Sequence, residues 1–257
     1  MNRLLATEHG INSIRSIISQ ITPSCSPPVD LDEILRENNI RLREHIIGLD
    51  IRGEQILGAC KSEGLKRLIV VSPFVDNKQR RRFTIAHEIG HLFLHHGNRE
   101  CIATDLQFWS DTRIKENEAN AFAAELLLPY ANIFATLKHS DISFDMIDNL
   151  AHKCDTSLTA TAIRLVKADD GMSAAIYHDG TKVFWSVRSD TCRGDVESIS
   201  INPMWRTKSD IHSPISKGIV DSEVWLTNEC DDIECYEETR FFSRMKKYLT
   251  ILNFIEL

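Results

Sequence analysis

Through the first two thirds of the chain, apolar residues recur mostly at intervals of three and four. Beyond about residue 172 the period changes to two. Ile11, Ile14, Ile17, Ile18 and Ile21 predict a short amphipathic helix over residues 10–21. The proline- and serine-rich TPSCSPPVD, 22–30, breaks it. DLDEILRENNI then predicts a helix that Asp30 could cap, with Leu31, Ile34 and Leu35 facing inward. Residues 40–75 contain two strand-like runs, IRLREHIIGL and RLIVVSPFV, with Gly48, Gly53 and Gly58 between them. The second run is expected to be an edge strand able to pair with an extended peptide.

RRRFTIAHEIGHLFLHH, residues 80–96, predicts a helix with an apolar body from Phe83 to Leu94. Residues 97–112 read as a loop whose Trp109 could roof a pocket. KENEANAFAAELLLP, 115–129, predicts a second strong helix, stopped by Pro129 and striped by Ala119, Phe122, Ala123, Leu126 and Leu127. Two shorter helices follow over 142–168, joined at CDTS, where Asp155 or Thr156 is the candidate N-cap. The pair has helix-turn-helix form. Its second helix offers only Arg164 and Lys167 as cations, too few for a recognition helix that must neutralise phosphates. A plain hairpin packed on the preceding core is the favoured reading. After the linker ADDGM, the alternating run SAAIYHDGTKVFWSVRS carries a hairpin turn at His178–Thr181. ISIN and SEVWL suggest further strands, and the chain ends in the strongly apolar RMKKYLTILNFIEL.

His87 and His91 stand four apart on the predicted helix, so both imidazoles can reach one point on one face. A tetrahedral Zn2+ site needs such convergence. Glu88 falls beside that point. There a carboxylate can take a proton from an activated water and later hand it to a leaving amine. A catalytic zinc takes three protein ligands. On the second helix Glu116 shares the buried stripe with Ala119 and Ala123, whereas Glu118 and Glu125 fall toward the edge. Glu116 is therefore the better third ligand and Glu118 the alternative. Gly90, in mid-helix, costs about 1 kcal/mol relative to Ala, which suggests that something approaches the backbone there. His95 lies four residues beyond His91 and could approach the metal, but packing is the favoured reading. Lys78, Arg80, Arg81 and Arg82 read first as a solvated helix start and second as a substrate-docking patch.

RRRFTIAHEIGHLFLH followed by E-x-x-A-x-x-F-A-x-x-L-L-x-P resembles the ImmA/IrrE family of zinc metallopeptidases, chiefly over residues 28–130. The resemblance implies a gluzincin-like site, with His87, His91 and Glu116 as ligands and Glu88 as base. It also implies a protein substrate, a helix-turn-helix transcriptional repressor of a mobile element or stress response. The expected fold class is α+β: a zincin-like metallopeptidase core, a helical hairpin and a small C-terminal mixed or mostly β domain. The expected divisions are 1–24 (N-terminal helical segment), 25–135 (peptidase), 136–170 (hairpin) and 171–257 (C-terminal, sensory by the same resemblance).

Composition narrows the alternatives. With 42% hydrophobic and 26% charged residues, the 257-residue chain reads as an ordinary globular protein. A formal net charge of −7 argues against broad nucleic-acid binding. No apolar run reaches the length of a membrane span, and the N-terminus lacks the features of an export signal. The seven cysteines, odd in number and widely spaced, read as reduced thiols of a cytoplasmic protein. Cys230 and Cys235 lack the companions of a second zinc site. The expected function is that of a cytoplasmic zinc-dependent endopeptidase. The alternative is a non-catalytic zinc-containing regulator that binds a repressor or DNA.

Overall fold

The computed structural model describes residues 8–22, 26–50, 53–75, 77–102, 114–137, 141–192, 215–226 and 233–256. The chain is α+β and divides into two compact units. One holds residues up to Pro129 together with His152–Ser157; the other holds Tyr130–Ala151 and everything from Leu158 onward. None of the described helices is long and apolar enough to cross a membrane.

The first unit opens with α1 (Glu8–Ile21) and α2 (Leu31–Glu37). The Asp30 side chain caps α2 by accepting from the Glu33 amide at 3.0 Å. Strands β1 (Ile40–Glu44), β2 (Ile56–Glu63), β3 (Lys66–Val71) and β4 (Arg99–Ile102) form one mixed sheet in the order β1-β3-β2-β4. β1 runs parallel to β3, and the other pairings are antiparallel. Two expectations fail here. The stretch between the two predicted runs contains β2, whose Gly58 and Ala59 hid its strand character. β3, expected at the edge, is interior, and the edge position beyond β2 belongs to β4, in a stretch expected to be loop. β4 is held by a register with β2 that no local pattern announces.

Helices α3 (Lys78–Phe93) and α4 (Ile114–Leu127) pack together, and α3 also packs on β2 and β3. Asn77 caps α3 through the Arg80 amide, 2.9 Å away. Ile69, Val71, Ala86, Ile89, Phe122 and Leu126 centre a core that α1 and α2 extend. Gly90 lets the two helices approach: a Cβ there would stand 3.1 Å from that of Phe122, itself fully buried. The basic cluster is largely spent on structure. Lys78 pairs with Asp155 at 2.7 Å, Arg81 with Glu44 at 3.0 Å, and Arg82 donates to the Val29 carbonyl at 2.8 Å. Asp155, expected as a cap, instead has a left-handed φ of 52° after the preceding helix and receives Lys78 and Gln79. Glu125, expected at the edge of α4, is buried and paired with Arg15 of α1 at 3.0 Å.

The second unit contains α5 (Tyr130–Leu137), most of α6 (Phe144–Cys154), α7 (Leu158–Ala168) and an antiparallel five-stranded sheet. Its strands are β5 (Met172–His178), β6 (Val183–Arg188), β7 (Ile215–Val220), β8 (Ile233–Phe242) and β9 (Lys247–Glu256), ordered β6-β5-β9-β8-β7. Of the helical hairpin, expected on the peptidase core, the joint His152–Ser157 belongs to the first unit, whereas the rest packs on this sheet. α7 lies on β5 and β6, and Asp148 of α6 holds Arg240 of β8 through two bonds of 2.7 Å. The predicted turn between β5 and β6 is closed by Asp179, whose Oδ1 accepts from the amides of Thr181 and Lys182. SEVWL is not a strand: Ser222–Val224 form a 3-10 turn that drives Trp225 into the core. Its indole N–H finds Glu237 at 2.7 Å, which removes the cost of burying it. ISIN, Trp109 and Cys230 lie outside the described residues.

Candidate metal centre

Seven consecutive residues of α3, Thr84 to Gly90, are buried together with His91 and Leu92, because one side of the helix meets the sheet and another meets α4. His87 and His91, one turn apart, therefore emerge into protein rather than solvent. Their Nε2 atoms lie 2.9 Å apart. Glu116, in the first turn of α4, brings Oε2 to 3.2 Å from His91 Nε2 and 3.3 Å from His87 Nε2. A tetrahedral zinc with arms of about 2.0–2.1 Å has ligand-to-ligand edges of roughly 3.3–3.4 Å, which the two edges to Glu116 match, while the edge between the imidazoles is shorter.

The donor chemistry fits as well. His87 Nδ1 lies 2.9 Å from Asn120 Oδ1, an acceptor, so the neutral ring carries its hydrogen on Nδ1 and leaves Nε2 bare. His91 is engaged at Nδ1 too, by His96 Nδ1 at 2.9 Å. Two lone pairs and a carboxylate then face one another in a buried site, an arrangement that a cation satisfies and that repels itself otherwise. Burial works to raise the Glu116 carboxyl, but imidazoles that carry a hydrogen on Nε2 and donate it to this carboxylate hold it well below the usual carboxylate range, a role that a bound cation would take over.

Glu88 shares no edge of the triangle. It is fully buried, and neither carboxylate oxygen has a well-directed hydrogen bond among the described residues. Burial pushes its carboxyl up to about 7. His87 and the Cys60 thiol oppose that rise, and Glu116 adds to it. The space it occupies comes from Gly58 of β2. A Cβ at that position would stand 2.6 Å from Glu88 Oε1 and 2.7 Å from Thr84 Cγ2.

His87, His91 and Glu116 thus come together with Glu88 beside them. Glu118, the alternative ligand, points elsewhere, with Oε2 3.0 Å from His96 Nε2. His95 neither packs nor approaches the triangle: it is exposed, with φ at 58°, and its left-handed turn ends the helix. His96, buried behind it, takes the place considered for His95. Sequence reasoning missed Asn120, His96 and Gly58. Asn120 had a readable signal, since it lies four residues beyond Glu116 on the same face. His96 depends on the left-handed residue before it, and Gly58 on a strand pairing; neither is a local pattern.

Residues 41–166 match the family model described as the IrrE N-terminal-like domain, a peptidase family. Among solved structures, a Mycobacterium tuberculosis transcriptional regulator is similar, with 13% identity and a TM-score of 0.58 over 96% of this chain and 75% of that one. At this identity the likeness is one of fold. No curated protein matches the chain significantly.

Proposed function

From the premise that residues 41–166 make this chain a member of the ImmA/IrrE family, we propose that it is a cytoplasmic zinc-dependent endopeptidase. The observation that carries this reading is the buried His87–His91–Glu116 triangle with a fully buried carboxylate, Glu88, next to it. Those three residues would hold the zinc. When bound, zinc supplies Lewis acidity to a water and to a peptide carbonyl.

The rest falls to the chain's own groups. Glu88 accepts a proton from the attacking water on a carboxylate oxygen and returns it to the amine that leaves. A carboxyl raised toward neutrality by burial is suited to both transfers. Asn120 holds the His87 ring in the tautomer that leaves Nε2 free. Gly58, having no side chain, leaves the space that the Glu88 carboxylate occupies. A regulator without catalysis gives no return for burying a carboxylate that has no well-directed hydrogen bond, which costs stability.

The substrate class that family membership favours is a helix-turn-helix transcriptional repressor, cut to release genes of a mobile element or stress response. The experiment is incubation of the purified chain with the repressor encoded nearest to it, with and without a chelator. Cleavage that chelation abolishes and zinc restores supports the reading. Tight binding of the repressor with no cleavage under either condition supports the regulator.

A further inference from the structure

His91 is engaged on both ring nitrogens, and the far side leads away from the metal position through two more residues. Its Nδ1 lies 2.9 Å from Nδ1 of His96, and Nε2 of His96 lies 3.0 Å from Oε2 of Glu118. With both rings neutral, one assignment of hydrogens satisfies both contacts. An ionised carboxylate only accepts, so His96 carries its hydrogen on Nε2 and donates it to Glu118. A neutral His96 then has a bare Nδ1, which accepts. His91 must supply that hydrogen from its own Nδ1. Its Nε2 lone pair is left facing His87 Nε2 and Glu116 Oε2.

We propose that His96 and Glu118 form a relay that fixes the tautomer and ring orientation of His91, making both positioning residues that set metal affinity without touching the metal. The proposal rests on the metallopeptidase reading above.

The backbone is built to hold this relay. The left-handed turn at His95 folds the chain back so that the His96 amide donates to the His91 carbonyl at 3.0 Å. The His96 carbonyl receives Lys115 of α4 at 3.3 Å. The ring is therefore tied to both helices that build the site. It meets His91 edge to face, with centroids 5.1 Å apart. The two histidine ligands are supported unequally. His87 leans on the neutral amide of Asn120, whereas His91 leans, through His96, on a carboxylate. A carboxylate at the end of the chain makes His91 the more electron-rich ligand. A histidine that merely filled space would need neither the second bond nor the acidic partner.

The test measures zinc affinity of the full chain by competition with a chromophoric chelator, and the visible bands of its Co2+-substituted form. Melting of the metal-free proteins reports folding. His96→Leu should weaken zinc binding by about 10- to 100-fold. His96→Asn, whose Oδ1 can accept in place of Nδ1, should recover part of that loss. Glu118→Gln should cost about threefold or more in the parent and nothing in the His96→Leu background, because it acts only through His96. Co2+ bands should shift in both single variants although neither residue is a ligand.

Zinc affinity of His96→Leu within about twofold of the parent, or an equal Glu118→Gln loss in both backgrounds, overturns the relay. If His96→Leu does not fold, the comparison runs in the His96→Asn background, where the Glu118→Gln loss must shrink for the relay to stand. A parent chain that binds no zinc overturns the metallopeptidase reading itself. A parent that binds tightly beside indistinguishable His96 variants overturns the relay alone.

Discussion

Gly58 of β2 and Glu88 of α3 meet without a side chain between them. A Cβ on Gly58 would stand 2.6 Å from Glu88 Oε1, closer than real Cβ atoms come to other heavy atoms, and 2.7 Å from Thr84 Cγ2. Thr84 is fully buried and held on α3 by its hydroxyl, which donates to the Arg80 carbonyl at 3.0 Å. The strand thus governs where the carboxylate can sit.

Gly58→Ala should therefore act on catalysis: the β2–β4 register shifts between Ile56 and Gly58, but Gly58 has no left-handed φ, and the added methyl meets Glu88 and Thr84. The added methyl displaces Glu88 by a fraction of an ångström to about 1 Å. Misplacement on that scale costs up to ~10²-fold in rate. Overpacking should also lower stability by about 1–3 kcal/mol. Zinc content should be unchanged. Repressor cleavage at the parent rate, with the variant folded and zinc-loaded, would show that the contact does not position the base.

Glu88→Gln keeps the side chain's size and removes its proton chemistry. Cleavage should fall by at least ~10²-fold. Zinc content should survive, because Glu88 lies outside the ligand triangle. The variant should still capture the repressor and serve as a substrate trap in a pull-down. Undiminished cleavage by the zinc-loaded variant would rule out Glu88 as the base.

His87→Ala and His91→Ala should each lose most of about one zinc per chain, the count expected of a single three-ligand site. Glu116→Gln should weaken binding far more than Glu118→Gln, because Glu116 Oε2 is 3.2 Å from His91 Nε2 while Glu118 faces His96. Metal analysis and chelator competition measure both. The reverse order would move the third ligand to Glu118.

A separate pH effect should come from His178 in the second unit. This ring is fully buried, with Nε2 2.9 Å from Thr250 Oγ1, and Nδ1 accepts from the Gly180 amide at 3.1 Å. Burial lowers its pKa from 6.5 to about 4, with Asp179 opposing. Between those values the unfolded chain takes up a proton that the folded chain refuses, so stability falls as pH drops below 6.5. From pH 7 to pH 5 the loss from this group is about 2 kcal/mol. Denaturant unfolding in excess chelator should show that loss in the parent and a smaller one in His178→Asn. Equal losses in the two proteins would assign the acid sensitivity elsewhere.

Helical phase is a property of a few consecutive residues, and for that reason much of the site was legible in the sequence. The four-residue spacing of His87 and His91 already aligned two imidazoles. The stripe through Ala119 and Ala123 already turned Glu116 inward, and the same stripe could have shown Asn120. The change of period near residue 172 likewise announced the sheet of the second unit.

Only the tertiary structure decided what depends on a partner far along the chain. Gly58 matters because β2 pairs with β3 and thereby lies under Glu88. β4 is a strand because β2 offers it a ladder, and the run after Asp221 is a turn because Trp225 has a core and Glu237 to reach. His96 joins the site because one left-handed residue, His95, reverses the chain at the end of α3. Strand pairing, close backbone approach and the direction of a single turn are set by competition among distant contacts, and local propensity carries little of that information.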